Sequence, residues 1–128
     1  VLASHIRSLM PEHLTDVRSS DQHNVKPWFN GRTDFSPAVP RLEEQGYPLI
    51  GGRVDYMHGR PVAVVTYGRR QHIINVFSWP GGPGSDARIE EQARNGYNLL
   101  HWRHANVEYW AASDLNAAEL GQFVTLLK

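Results

Sequence analysis

Seven histidines, at positions 5, 13, 23, 58, 72, 101 and 104, are the side chains of this 128-residue sequence with the widest chemical reach. Neutral imidazole ligates zinc, copper and nickel, and it titrates near neutral pH. The spacing lacks the patterns that hold a metal, with no His-x3-His for one helix face and no His-x-His for one strand face. His101 and His104 are three apart, which on a strand turns them to opposite faces, and His23, His58 and His72 can meet only through the tertiary fold. Neither a metal nor another cofactor is expected. With no cysteine, a thiol nucleophile, a zinc ribbon, an iron–sulfur cluster and a disulfide framework are all excluded.

Catalytic patterns are equally thin. Ser19 and Ser20 lie beside Asp16, Asp21 and His23, but such neighbours on one turn cap backbone rather than form a triad, and no Gly-x-Ser-x-Gly elbow is present. Gly81-Gly82-Pro83-Gly84-Ser85 has the glycine content of a phosphate loop without its lysine, and Pro83 removes a donor N–H. It reads as a flexible hairpin connection, and the chain reads as non-enzymatic. Lys26-Pro27-Trp28-Phe29-Asn30-Gly31 is more informative. Its two rings, each worth roughly 2–3 kcal/mol when buried, either pin a turn to a sheet or form a docking surface. On the second reading His23, Trp28 and His72 make up a ligand or partner surface. Trp79, Trp102, Tyr109 and Trp110 read as core and rim, since no basic groove accompanies them.

These residues need elements to hold them. Leu2, Ile6, Leu9 and Met10 fall at helical spacing with Ser4, His5, Arg7 and Ser8 between them, which predicts an amphipathic helix stopped or kinked at Pro11. Glu12 to Val17 can begin a second short element. Asn24 is expected to cap a short helix over 25–30, with Gly31 as its left-handed stop. Residues 33–48 read as extended, with one helical turn near Leu42–Gln45. Runs at 49–56, 61–67 and 71–79 read as strands joined by tight turns, the middle one buried on both faces. Runs at 98–103 and 107–112 form a further hairpin turning at His104-Ala105-Asn106. Asp114 or Asn116 caps a closing amphipathic helix over 117–127. The expected fold is α+β: a meander of about five antiparallel strands flanked by an N-terminal and a C-terminal helix, in one domain.

Composition narrows the partners. Thirteen Lys+Arg balance 13 Asp+Glu, which removes the electrostatic case for nucleic acid or an anionic membrane surface. The longest apolar run, Val62 to Val65, is far short of the roughly 20 residues that cross a bilayer. A hydrophobic fraction of 41% argues against disorder.

Several longer strings resemble a known family. Ser4-His5-Ile6-Arg7-Ser8-Leu9-Met10, then Ser20-Asp21-Gln22-His23-Asn24-Val25-Lys26-Pro27-Trp28-Phe29-Asn30-Gly31, are similar to the extracytoplasmic part of bacterial transmembrane anti-sigma factors. So are Gly46-Tyr47-Pro48-Leu49-Ile50-Gly51-Gly52-Arg53-Val54-Asp55-Tyr56, His72-Ile73-Ile74-Asn75-Val76-Phe77 and Gly96-Tyr97-Asn98-Leu99-Leu100-His101-Trp102. The resemblance implies a periplasmic sensor or regulatory domain of a bacterial inner-membrane protein. In such proteins a transmembrane helix, here expected before residue 1, leads to a cytosolic domain that binds an extracytoplasmic-function sigma factor. The His-x3-Cys-x2-Cys motif of that domain is missing, so sigma binding maps to no residue here. A periplasmic partner protein or a protease is the other implied party, and the family supplies no catalytic residues. The rival reading is a stand-alone periplasmic domain that binds a metal or small ligand through several histidines.

Overall fold

A computed structural model describes residues 1–8, 15–33, 35–57 and 59–127. Its framework is a seven-stranded antiparallel sheet: β1 (Val17–Arg18), β2 (Leu49–Met57), β3 (Arg60–Arg69), β4 (His72–Pro80), β5 (Ala87–Arg94), β6 (Tyr97–His104) and β7 (Val107–Ser113). Among the described residues three α-helices accompany it: α1 (Leu2–Ser8), α2 (Gln22–Trp28) and α3 (Ala117–Leu127). The α+β class holds, while the strand count and the simple meander do not. The spatial order is β1-β2-β3-β4-β7-β6-β5, so the second hairpin series is laid down in reverse and β4 pairs with β7.

Local chemistry accounts for the turns. Arg70 (φ 55°), Asn95 (53°) with Gly96 (83°), and Ala105 (50°) with Asn106 (64°) supply the left-handed backbone that short hairpin turns require. β3 is buried from Val62 to Gly68 on both sides, as its unbroken apolar run predicts. The unforeseen strands are the two edges. β1 is two residues long, and β5 carries Arg88, Glu90, Glu91, Gln92 and Arg94, whose charge masks any alternation and blunts an exposed edge.

Alternation divides the sheet into two faces. Ala63, Val65, Tyr67, Ile74, Val76, Leu100, Trp102 and Ala111 form a packed face. Onto it are laid Val25 and Phe29 from the α2 region and Leu120, Phe123 and Val124 from α3. Val62, Val64, Phe77, Leu99 and Ala112 belong to the opposite face, which meets Val1 and Leu2.

The helices differ from expectation in their details. Asp21, not Asn24, caps α2, its Oδ1 accepting from the His23 N–H at 2.8 Å. Phe29 lies just past that helix, fully buried, its ring occupying the space above Gly52 where a Cβ would stand 2.8 Å from Cζ. Asn116 caps α3 reciprocally with Glu119: the Glu119 N–H donates to Asn116 Oδ1 at 2.9 Å and Asn116 Nδ2 to Glu119 Oε1 at 2.8 Å. In α1 the expected faces are exchanged, since His5 is 1% exposed and Ile6 44% exposed. The sheet offers a polar socket where an apolar one was expected. Leu9, Met10 and the first half of the Glu12–Val17 stretch, residues 12–14, lie outside the described residues.

Residues 81–86 are no hairpin connection, because β4 and β5 are not neighbours. The segment crosses the β6–β7 turn and is tied to it. Gly81 N–H donates to Asn106 O at 2.8 Å, Arg103 donates to the carbonyls of Gly81 and Gly82, and Asp86 binds His104 and the Ala105 N–H. No helix among the described residues is long and apolar enough to cross a membrane.

Candidate functional site

The three residues expected to share a surface are separated. His23 is exposed on α2 and lines a groove of about 580 Å³ with Lys26, Asn30 and residues 36–40, which neither Trp28 nor His72 enters. Trp28 is half-buried, edge-on to Phe29 at 5.1 Å with the Arg32 guanidinium 4.5 Å above its ring. His72 stands at the start of β4, its Nδ1 2.9 Å from Asp114 Oδ1. The aromatic pair therefore follows the anchoring reading at Phe29. No group of three or more His, Asp or Glu side chains among the described residues could hold a metal ion. His13 and His58 lie outside those residues.

A more coherent site lies under α1. A cavity of about 520 Å³ opens there, walled by Met57, Val62, Trp79, Leu99 and Trp110 and closed on one side by Leu2. Exposed Arg60, Gln92 and Arg94 also line it, Arg60 beside the β2–β3 turn and Arg94 beside the β5–β6 turn. These residues come from six of the seven strands. In a flat sheet β3 and β5, four steps apart, would stand about 19 Å from each other. That one cavity is lined by both means that this face is a trough, as accumulated strand twist and coil produce.

Beside the cavity runs a polar seam. The Asn75 amide nitrogen lies 2.9 Å from His5 Nδ1, and Asn75 Oδ1 accepts from the Thr66 hydroxyl at 2.8 Å and from Arg53 at 3.5 Å. Arg53 reaches Asp55 at 3.8 Å and lies 5.7 Å over the Phe77 ring. Since Thr66 and Arg53 both donate to Oδ1, the Asn75 amide must donate to His5, whose Nδ1 is then an unprotonated acceptor. Burial pushes the His5 pKa down to about 4; Asp114 raises it in opposition, and the Arg53 charge lowers it further. The ring is completed by Tyr97, edge-on at 5.2 Å.

The cavity wall has its own backing. His101 stacks on Trp110 with centroids 4.5 Å apart, and its Nδ1 is buried 3.6 Å from Glu90, too far for a hydrogen bond. Of the lining arginines, Arg60 donates to the Pro80 carbonyl at 2.8 Å, while Arg94 has no ion pair or hydrogen bond among the described residues.

Sequence reasoning passed over Arg60, Arg94, Trp110 and His5 as site residues. Neither arginine takes any role in the sequence reading, and His5 falls there on the polar side of the first helix. The period-two alternation Val62/Val64, Leu99/His101 and Trp110/Ala112 is the signal that could have found this second apolar face.

This arrangement suits binding. It holds an apolar recess, two cations in its lining and a helix for a wall. No family model matches the chain, and neither the curated proteins nor the solved structures include one that is similar to it.

Proposed function

We propose that this chain is a non-enzymatic periplasmic sensor domain of a bacterial transmembrane anti-sigma factor, in which α1 reports on the occupancy of the trough beneath it. The supporting observation is that α1 walls the cavity through Leu2 and seats its only buried polar ring, His5, in the sheet. On the family resemblance, α1 is the element next to the membrane span. A ligand or partner entering the trough would change how α1 is docked, and that change would pass to the span. Sigma binding belongs to a cytosolic domain beyond this chain, and a periplasmic protein or protease would act on the exposed side of α1.

The test is the reading frame upstream of Val1. A hydrophobic span of roughly 20 residues, preceded by a cytosolic segment, is expected. A frame without such a span overturns the membrane reading. The metal arm of the rival reading has no geometric support among the described residues, and its small-ligand arm, which relied on several histidines, finds none of them among the described residues that line the trough.

A further inference from the structure

We infer that the trough binds a small organic monoanion with an apolar body, its carboxylate held by an arginine of the lining, Arg60 or Arg94. The inference deepens the sensor reading by naming the class of ligand, and it rests on that reading only for its biological consequence.

Three observations carry it. The recess is of small-molecule size, about 520 Å³, within the range of roughly 300–1,000 Å³ usual for such sites. Its walls are apolar, and two of them are indole faces, Trp79 and Trp110, the latter held in place by the stacked His101 ring. Among the described residues its charged side chains are all cationic, and no carboxylate lines it.

The cations are available. Arg60 spends one N–H on a backbone carbonyl and keeps the rest of its fork, and Arg94 meets no anion among the described residues. Five other arginines have carboxylate partners, Arg69 and Arg70 with Glu119, Arg103 with Glu108, Arg53 with Asp55 and Arg41 with Glu43, whereas Arg18, Arg32 and Arg88, like Arg60 and Arg94, have none among the described residues. Each of the two lining cations, beside an apolar recess that runs diagonally from the β2–β3 turn to the β5–β6 turn, matches a bidentate carboxylate on a hydrocarbon or aromatic body. A polyanion would find two charges too few, and a neutral apolar molecule would leave them unused.

The test is calorimetric titration of the 128-residue protein with three probes of equal chain length: decanoate, decanol and decylammonium. Saturable binding is expected, with decanoate tighter than decanol by roughly tenfold or more and decylammonium weakest. The Arg60→Gln/Arg94→Gln double variant, altered only at exposed positions, should bring decanoate to parity with decanol while leaving decanol binding intact. Leu99→Trp, which fills the recess, should abolish all three. Equal affinity for the three probes, no binding at all, or a decanoate preference that survives the double variant each overturns the inference. Circular dichroism of each variant separates loss of binding from loss of fold. Because the titration needs only this domain, its failure leaves the upstream-frame test standing, and a frame without a span leaves the binding site standing.

Discussion

Protonating His5 should loosen α1. Its Nδ1 accepts from the Asn75 amide, whose oxygen is already committed to Thr66 and Arg53, so a proton on Nδ1 would set two donors against each other in a buried place. The surrounding charges do not rescue it: Arg53 disfavours the cation, and Asp114, which favours it, is itself engaged with His72. Asp55 is turned to Arg53, and Tyr97 presents only a ring edge. The folded pKa is about 4 against 6.5 in the free side chain. The undocked or unfolded state therefore binds the proton more readily. The stabilisation is complete above pH 6.5, falls as the pH drops from 6.5 to 4, and is constant below that.

Linkage gives a loss of about 2 kcal/mol between pH 7 and 5, reaching about 3 kcal/mol by pH 4. The assay is urea denaturation of wild type and His5→Gln across pH 4–7, with hydrogen exchange of residues 2–8 at each pH. The variant accepts the same Asn75 hydrogen bond and does not titrate, so its stability should fall less over this range, by about the stated 2 kcal/mol at pH 5. Parallel pH profiles for the two proteins would refute the reasoning.

Other consequences are simpler to read. Asn116→Ala removes the α3 cap and should cost about 1 kcal/mol in urea denaturation. Gly52→Ala drives a methyl group into the Phe29 ring and should cost roughly 1–3 kcal/mol, an effect that Phe29→Leu should relieve in a double-mutant cycle. Hydrogen bonds from Arg70 and then Arg69 hold the Glu119 carboxyl down to about 2, against an ordinary value of 4.5. Its contribution is thus present above pH 4.5 and lost as the pH falls towards 2. The stability difference between wild type and Glu119→Gln should be flat from pH 7 to 5 and shrink below pH 4.5.

What the sequence made legible was local. Five of the seven strands follow from alternation, the paired runs about residues 58–61 and 69–72, and the turn at 104–106, and α3 follows from its stripe and cap. The order of the strands does not follow, because the hairpins β3–β4 and β6–β7 have the same local signals whichever strand joins them. β5 hides because a charged edge strand, with Ile89 alone packing inward, has no period to detect. The second apolar face was missed for a related reason. His23, Trp28 and His72 were selected by chemical type, and type does not say which side of a sheet a residue occupies. His5 shows the limit most plainly, since the acceptor role that buries it is assigned by Asn75, 70 residues away.

The two helices that flank the sheet are held by different physics, and that difference says which of them can move. α3 buries Leu120, Phe123 and Val124 completely, at roughly 1.5–3 kcal/mol for each side chain, and is fastened at its start by Asn116 and by two arginines on Glu119. α1 half-buries Leu2, leaves Ile6 in water and fills its deepest position with a histidine in a polar socket. Lifting α3 would expose apolar surface for which water is a poor substitute. Lifting α1 would expose Asn75, Thr66 and Arg53, whose hydrogen bonds water can replace, and the smaller apolar cluster that Val1 and Leu2 touch, beside a recess that is already open. Partial opening with low free energy is the property expected of elements that transmit binding. The helix that walls the recess is thus also the one whose docking a ligand of modest affinity can bias, because the free energy at stake is of the same size as the binding energy such a ligand brings.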